Sequence, residues 1–134
     1  MKMRYPRGIL ASCCIPWSEH FEFMEYIFRV QLRLILEQTN LVYIMGTAGE
    51  GYAVSDKQYR HIVRVFAEVM RRAGAEPMVG LINLSVATMQ DRIDLGRELG
   101  VNDFQLSLPS WGELSDSEVS GFFELICDNC NKPM

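Results

Sequence analysis

Four times along this chain a short apolar run gives way to a longer segment with apolar residues at helical spacing, and no other feature constrains the fold as much. Gly8 to Pro16 (GILASCCIP) is bounded by Gly and Pro and predicts a strand buried on both faces. From Phe23 to about Glu37, Met24, Ile27, Phe28 and Ile35 mark an inward stripe, with Glu25, Arg29, Arg33 and Glu37 on the wet side. Leu41 to Met45 predicts a second strand. Ser55-Asp56-Lys57-Gln58 has the form of a capping box, ahead of Tyr59, Ile62, Val63, Phe66, Val69 and Met70 at helical spacing, and Gly74 ends that helix. Pro77 opens a third strand, Met78 to Ile82. Ser85 or Val86 starts a helix with Met89, Ile93, Gly96 and Leu99 on one face, closed by Gly100. Phe104 to Leu108 predicts a fourth strand ending at Pro109, and Ser115 caps a fourth helix that buries Val119, Phe122, Phe123 and Ile126.

Four successive βα units predict an α/β fold in which a parallel sheet is joined by right-handed crossovers and packed against helices. Asn131-Lys132-Pro133-Met134 repeats the approach to the third strand at Glu76-Pro77-Met78, so the pattern points on toward a fifth strand. At 134 residues and 49% hydrophobic content the chain has the size of at most one domain and enough apolar material for a core.

The net charge is −4, and the 13 Lys and Arg residues are scattered, which sets nucleic acid aside as a partner. No apolar run approaches the ~20 residues that span a bilayer, and the first residues lack the apolar core of a signal peptide, so the expectation is a cytoplasmic protein without a membrane partner. Cys13, Cys14, Cys127 and Cys130 are expected to be free thiols in a chain large enough to fold without staples. Cys127-Asp128-Asn129-Cys130 matches CxxC, but no second ligand pair accompanies it and neither His20 nor His61 stands at ligand spacing, so no metal is expected. His20 and His61 read as surface residues without a catalytic role.

The chemistry concentrates in Met45-Gly46-Thr47-Ala48-Gly49-Glu50-Gly51-Tyr52, a glycine-rich turn from strand to helix. Its G-x-x-G-x-G spacing reverses the dinucleotide fingerprint, no Lys-Ser or Lys-Thr follows as in a P-loop, and Glu50 places a carboxylate where a phosphate would sit. A small carboxylate suits the turn better, since Thr47 offers a hydroxyl and the backbone offers N–H groups at the C-terminal end of a strand.

Gly46-Thr47-Ala48-Gly49-Glu50 resembles the GTTGE signature of the dihydrodipicolinate synthase and N-acetylneuraminate lyase family, pyruvate-handling class I aldolases built on a TIM (β/α)8 barrel. Ile15-Pro16-Trp17 is similar to the family's T-P-F, Pro77 to Gly80 to its P-V-I-A-G third strand, and Leu108-Pro109-Ser110-Trp111 to its P-x-Y loop. The resemblance runs from about Gly8 to Pro133. It implies that residues 1–134 form a single partial domain, the N-terminal half of a TIM barrel, cut short before the strand-five tyrosine and the strand-six lysine that forms a Schiff base in the family. Lys2, Lys57 and Lys132 are the chain's lysines, and none stands where that lysine would be.

By the same resemblance Thr47 matches the first signature threonine, catalytic through a proton relay, and Thr47, Ala48 and Gly49 fall at substrate-binding positions. Gly46, Glu50, Pro109 and Trp111 shape the flanking loops. Ala48 departs from the threonine whose hydroxyl binds the substrate carboxylate, and Trp111 departs from the relay tyrosine. The implied function is carbon–carbon lyase or aldolase chemistry on pyruvate or a related 2-oxo acid, needing no cofactor, with a chain inactive alone and paired either with further copies or with a C-terminal half. A different class remains open beside it: a non-enzymatic half-barrel that binds a small carboxylate or a protein partner. Plainer roles also remain open, with Thr47 capping the turn, Glu50 stabilising the loop through its backbone N–H groups, Trp111 packing as a loop aromatic, and Tyr52 lining the site or packing beneath it.

Overall fold

A computed structural model describes residues 8–108 and 113–130, without the side chains of residues 129 and 130. The elements alternate as expected: β1 (Ala11–Ser12), α1 (Glu25–Leu36), β2 (Leu41–Ile44), α2 (Asp56–Ala73), β3 (Glu76–Gly80), α3 (Val86–Glu98), β4 (Asp103–Gln105) and α4 (Asp116–Cys130). The four strands pair in parallel in the order β1-β2-β3-β4. Residues 131–134, the approach to a fifth strand, and residues 109–112, which include Pro109 and Trp111, lie outside the described residues.

Local signals set the helix ends. Ser55 Oγ accepts the Gln58 N–H at 3.3 Å while Gln58 Oε1 accepts the Ser55 N–H at 2.9 Å, which closes the capping box of α2. Gly74 ends α2 in a left-handed conformation at φ 63°. Ser85 Oγ caps α3 through the Thr88 N–H at 3.2 Å, and Ser115 caps α4 by exchanging bonds with Glu118.

Burial follows the two periodicities except early in α1, where Met24 and Ile27, expected on the inward stripe, are exposed and Phe28 and Leu32 are buried. Cys13, Val42, Ile44 and Val79 are buried in one cluster with Phe28 and Leu32 of α1 and Tyr59, Ile62, Val63 and Phe66 of α2. Each such aliphatic or aromatic side chain contributes on the order of 1.5–3 kcal/mol by leaving water. A smaller cluster of Leu81, Met89, Ile93 and Ile126 joins β3, α3 and α4. Alternation then puts Ser12, Tyr43, Met78 and Asp103, paired across the sheet, on the face away from the helices.

That second face corrects the expectation for the first strand. The pairing of β1 is limited to Ala11 and Ser12, and Ser12 and Cys14 are exposed, because among the described residues no layer lies over that side. Met45 has left the strand, with φ 60°. In α4 the stripe is narrower than expected: Ile126 is buried and Val119 and Phe122 are half-buried, but Phe123 is exposed and meets Phe122 edge-on at 5.5 Å. Among the described residues no helix is long and apolar enough to cross a membrane.

The helical layer is tied together by Arg29, whose Nε donates to Glu25 Oε1 and whose Nη2 donates to Glu68 Oε2 of α2, both at 2.8 Å. His61 Nε2 adds a 3.0 Å contact to Glu25 Oε2, and Arg72 pairs with Glu68 at 2.6 Å. Hydrogen bonds from Arg29 hold both carboxyls below the usual range. Depressed carboxylates stabilise fully above the unfolded value of about 4.3 and lose that contribution as pH falls through the folded value. Urea midpoints measured from pH 7 to pH 3 are therefore expected to drop below about pH 4, and Arg29→Met should flatten that drop. An unaltered acid limb in Arg29→Met would show that the α1–α2 ion pairs carry no stability.

Candidate functional site

The turn from β2 to α2 is built on backbone contacts that side chains would block. After Ile44 the chain swings through Met45, whose side chain is fully buried and whose φ of 60° costs about 1–2 kcal/mol for a residue with a side chain. The Met45 carbonyl then lies where a Cβ on Gly51 or on Gly80 would have to be, so both positions require glycine. A Cβ on Gly49 would stand 2.8 Å from the Met45 nitrogen, and the Tyr43 phenol occupies the space beside Gly46.

These approaches fold residues 45–54 into a compact turn. The Glu50 N–H donates to Thr47 O at 3.2 Å, the Gly51 N–H to Gly46 O at 3.4 Å, and the Ala53 N–H to Glu50 O at 2.8 Å. Among the described residues the N–H groups of Thr47, Ala48 and Gly49 are not engaged. Thr47 and Ala48 are exposed at the tip, while Gly49 is buried behind them. Three successive free donors at the C-terminal edge of a parallel sheet can receive a small anion.

The structure places the other singled-out residues as follows. Gly46 is buried, and Glu50 is exposed with φ 52°. Glu50 shapes the turn through its backbone N–H and carbonyl. Tyr52 is exposed, at 56% of its surface. On the neighbouring edge Ile15 is buried, Pro16 O accepts the Met24 N–H at 3.0 Å, and Trp17 packs edge-on to Phe23 at 6.3 Å. Pro109 and Trp111 fall outside the described residues. Lys57 is exposed in the first turn of α2.

Two residues behind the turn escaped the sequence reading of function. Tyr59 of α2 is buried and its hydroxyl donates to Gly80 O at 3.0 Å, and burial pushes the phenol's pKa up. Arg92 of α3 is 4% exposed. Its Nη1 donates to Gly51 O at 2.9 Å and approaches Ile82 O at 3.4 Å, and its guanidinium lies 4.0 Å from the Tyr59 ring centroid. Among the described residues the carboxylate within ion-pair distance is the exposed Asp56, 3.9 Å from Nη2, and Nε has no hydrogen-bond partner. Burial lowers the Arg92 pKa, because taking a cation out of water costs several kcal/mol. The signal was present in the sequence: Arg92 stands three residues after Met89 and four before Gly96, inside an otherwise apolar stripe.

Two grooves among the described residues lie away from the turn. One, of about 440 Å³, runs between α2 and α3 past Asp56, Asp91, Arg92 and Asp94. The other, of about 890 Å³, lies between Phe21 and the Lys57, Arg60, His61 and Arg64 side of α2. Among the described residues no three His, Cys, Asp or Glu side chains converge as a metal site. Burial raises the Cys13 thiol to about 12, with the adjacent Cys14 adding to the effect, so Cys13 is an inert core thiol.

No family model and no curated protein sequence matches the chain. Solved structures do. Dihydrodipicolinate synthase from Oceanobacillus iheyensis superposes with a TM-score of 0.82 at 16% identity, over 92% of this chain and 42% of that one. Dihydrodipicolinate synthase DapA-2 from Bacillus anthracis gives 0.85 at 15% identity, over 97% and 45%. CdNal from Clostridium difficile, solved in complex with mannosamine, gives 0.83 at 13% identity, over 91% and 42%. The likeness shows the fold: four βα units matching the N-terminal half of a TIM barrel. The chain spans less than half the length of these structures.

The turn gives a direct stability test. Gly80→Ala drives a Cβ into the Met45 carbonyl, where neither backbone can yield, and is expected to cost about 2–3 kcal/mol. Tyr59→Phe strips the buried Gly80 carbonyl of its donor and is expected to cost roughly 1–2 kcal/mol. Urea denaturation reads both, and wild-type midpoints in either variant would contradict the packing described.

Proposed function

We propose that this chain is a single partial domain supplying the N-terminal half of a 2-oxo-acid site, in a cytoplasmic carbon–carbon lyase of the dihydrodipicolinate synthase type. The free N–H groups of Thr47, Ala48 and Gly49 carry the reading, because they lie where βα loops of TIM barrels bind ligands. In this reading the carboxylate of pyruvate or a related 2-oxo acid rests on those donors. The Thr47 hydroxyl joins a proton relay, and the backbone N–H of Ala48 stands in for a hydroxyl that alanine lacks. The likeness in fold to dihydrodipicolinate synthases supports the assignment at family level.

The imine-forming lysine comes from outside this chain. Lys57, the lysine within the described residues, is exposed in the first turn of an outer helix and not on a strand. A complementary (βα)4 layer, from further chain or a second copy, would cover the Ser12, Tyr43, Met78 and Asp103 face, since parallel sheets are covered on both sides. The second reading, a non-enzymatic half-barrel that holds a carboxylate or a protein partner on that face, is favoured by the same lysine placement.

Reductive trapping tests the assignment. With pyruvate and borohydride this chain alone is expected to show no mass adduct. A stoichiometric adduct on one of its own lysines would overturn the claim that the Schiff-base group lies elsewhere.

A further inference from the structure

Arg92 is a buried cation whose cost no close carboxylate offsets. Asp56 stands at the limit of ion-pair distance with 86% of its side chain exposed, so water screens it. A leucine or methionine of similar volume would fill the space between α2 and α3 without that cost. What the guanidinium does that neither could is hold the Gly51 and Ile82 carbonyls at once while stacking on Tyr59.

Those carbonyls belong to different loops. Gly51 closes the turn whose tip carries the Thr47, Ala48 and Gly49 donors, and Ile82 begins the connection from β3 to α3. Tyr59, beneath the guanidinium, fastens the end of β3 through Gly80. One guanidinium nitrogen carried on a helix, Nη1, thus joins two loops on the C-terminal edge of the sheet, from the side away from the open face.

We propose that Arg92 is a positioning residue, which locks the β2–α2 turn against the β3–α3 loop and so presets the direction of the Thr47–Gly49 N–H groups. Its importance for a ligand rests on the 2-oxo-acid reading; the clamp itself does not. Removing a core residue that only packs loosens the whole molecule, whereas removing a clamp loosens what it clamps.

Amide hydrogen exchange on the full chain separates the two. In Arg92→Leu, exchange at residues 46–53 is expected to rise at least about tenfold while the slowest α1 amides change less than about threefold. Arg92→Lys keeps the charge and, with an ammonium able to reach one carbonyl, is expected to show the same pattern at smaller amplitude. It also serves as the test should Arg92→Leu fail to fold. Loop exchange unchanged from wild type, or rising in the same ratio as α1, would overturn the proposal. Because no ligand enters the experiment, its result stands whether or not pyruvate binds.

Discussion

The contact between the Met45 carbonyl and the two glycines at 51 and 80 is the constraint on which the rest of the site depends. It brings the exit of β2 against the end of β3 at backbone distance, closer than any side chain allows. Met45 must turn left-handed to make it, and its own side chain, buried in the main cluster, holds that conformation against its intrinsic cost. The turn that follows closes on itself with Thr47 and Ala48 exposed at its tip. Tyr59 and Arg92 then satisfy the carbonyls that this crowding turns inward.

The sheet sets the other half of the account. Helices cover one face, and Ser12, Tyr43, Met78 and Asp103 line the other, a mixture of hydroxyl, phenol, thioether and carboxylate. A parallel sheet is stable when both faces are covered, and a barrel does this by curving the sheet around its own interior. The likeness to four units of a TIM barrel explains why one face is built from Val, Ile and Leu while the opposite one carries polar groups.

Much of this was legible in the sequence. Ser55 with Gln58, Gly74, and the serines at 85 and 115 marked helix ends because capping is local chemistry. Strand ends were less legible: Gly8 to Pro16 read as a long buried strand, yet pairing is confined to Ala11 and Ser12, since edge pairing depends on neighbours that periodicity does not encode. At the site, the glycine spacing revealed a special turn. That Gly80, distant in sequence, completes it follows from packing between elements and has no short-range signature, whereas Arg92 carried one, as a charge inside the Met89–Gly96 stripe. Glu50 is exposed, and its backbone N–H and carbonyl make the turn.

The central claim is the proposal that a carboxylate goes to the backbone N–H groups of the turn, beside the exposed Glu50, although the Lys57, Arg60 and Arg64 side of α2 offers the positive field. An amide-resolved NMR titration with pyruvate decides between these places. The account expects shifts concentrated at Thr47, Ala48 and Gly49 and little changed by moderate salt, since hydrogen bonds rather than long-range charge bind the anion. Shifts centred on residues 57–64 that vanish with salt, with the turn unmoved, would contradict it.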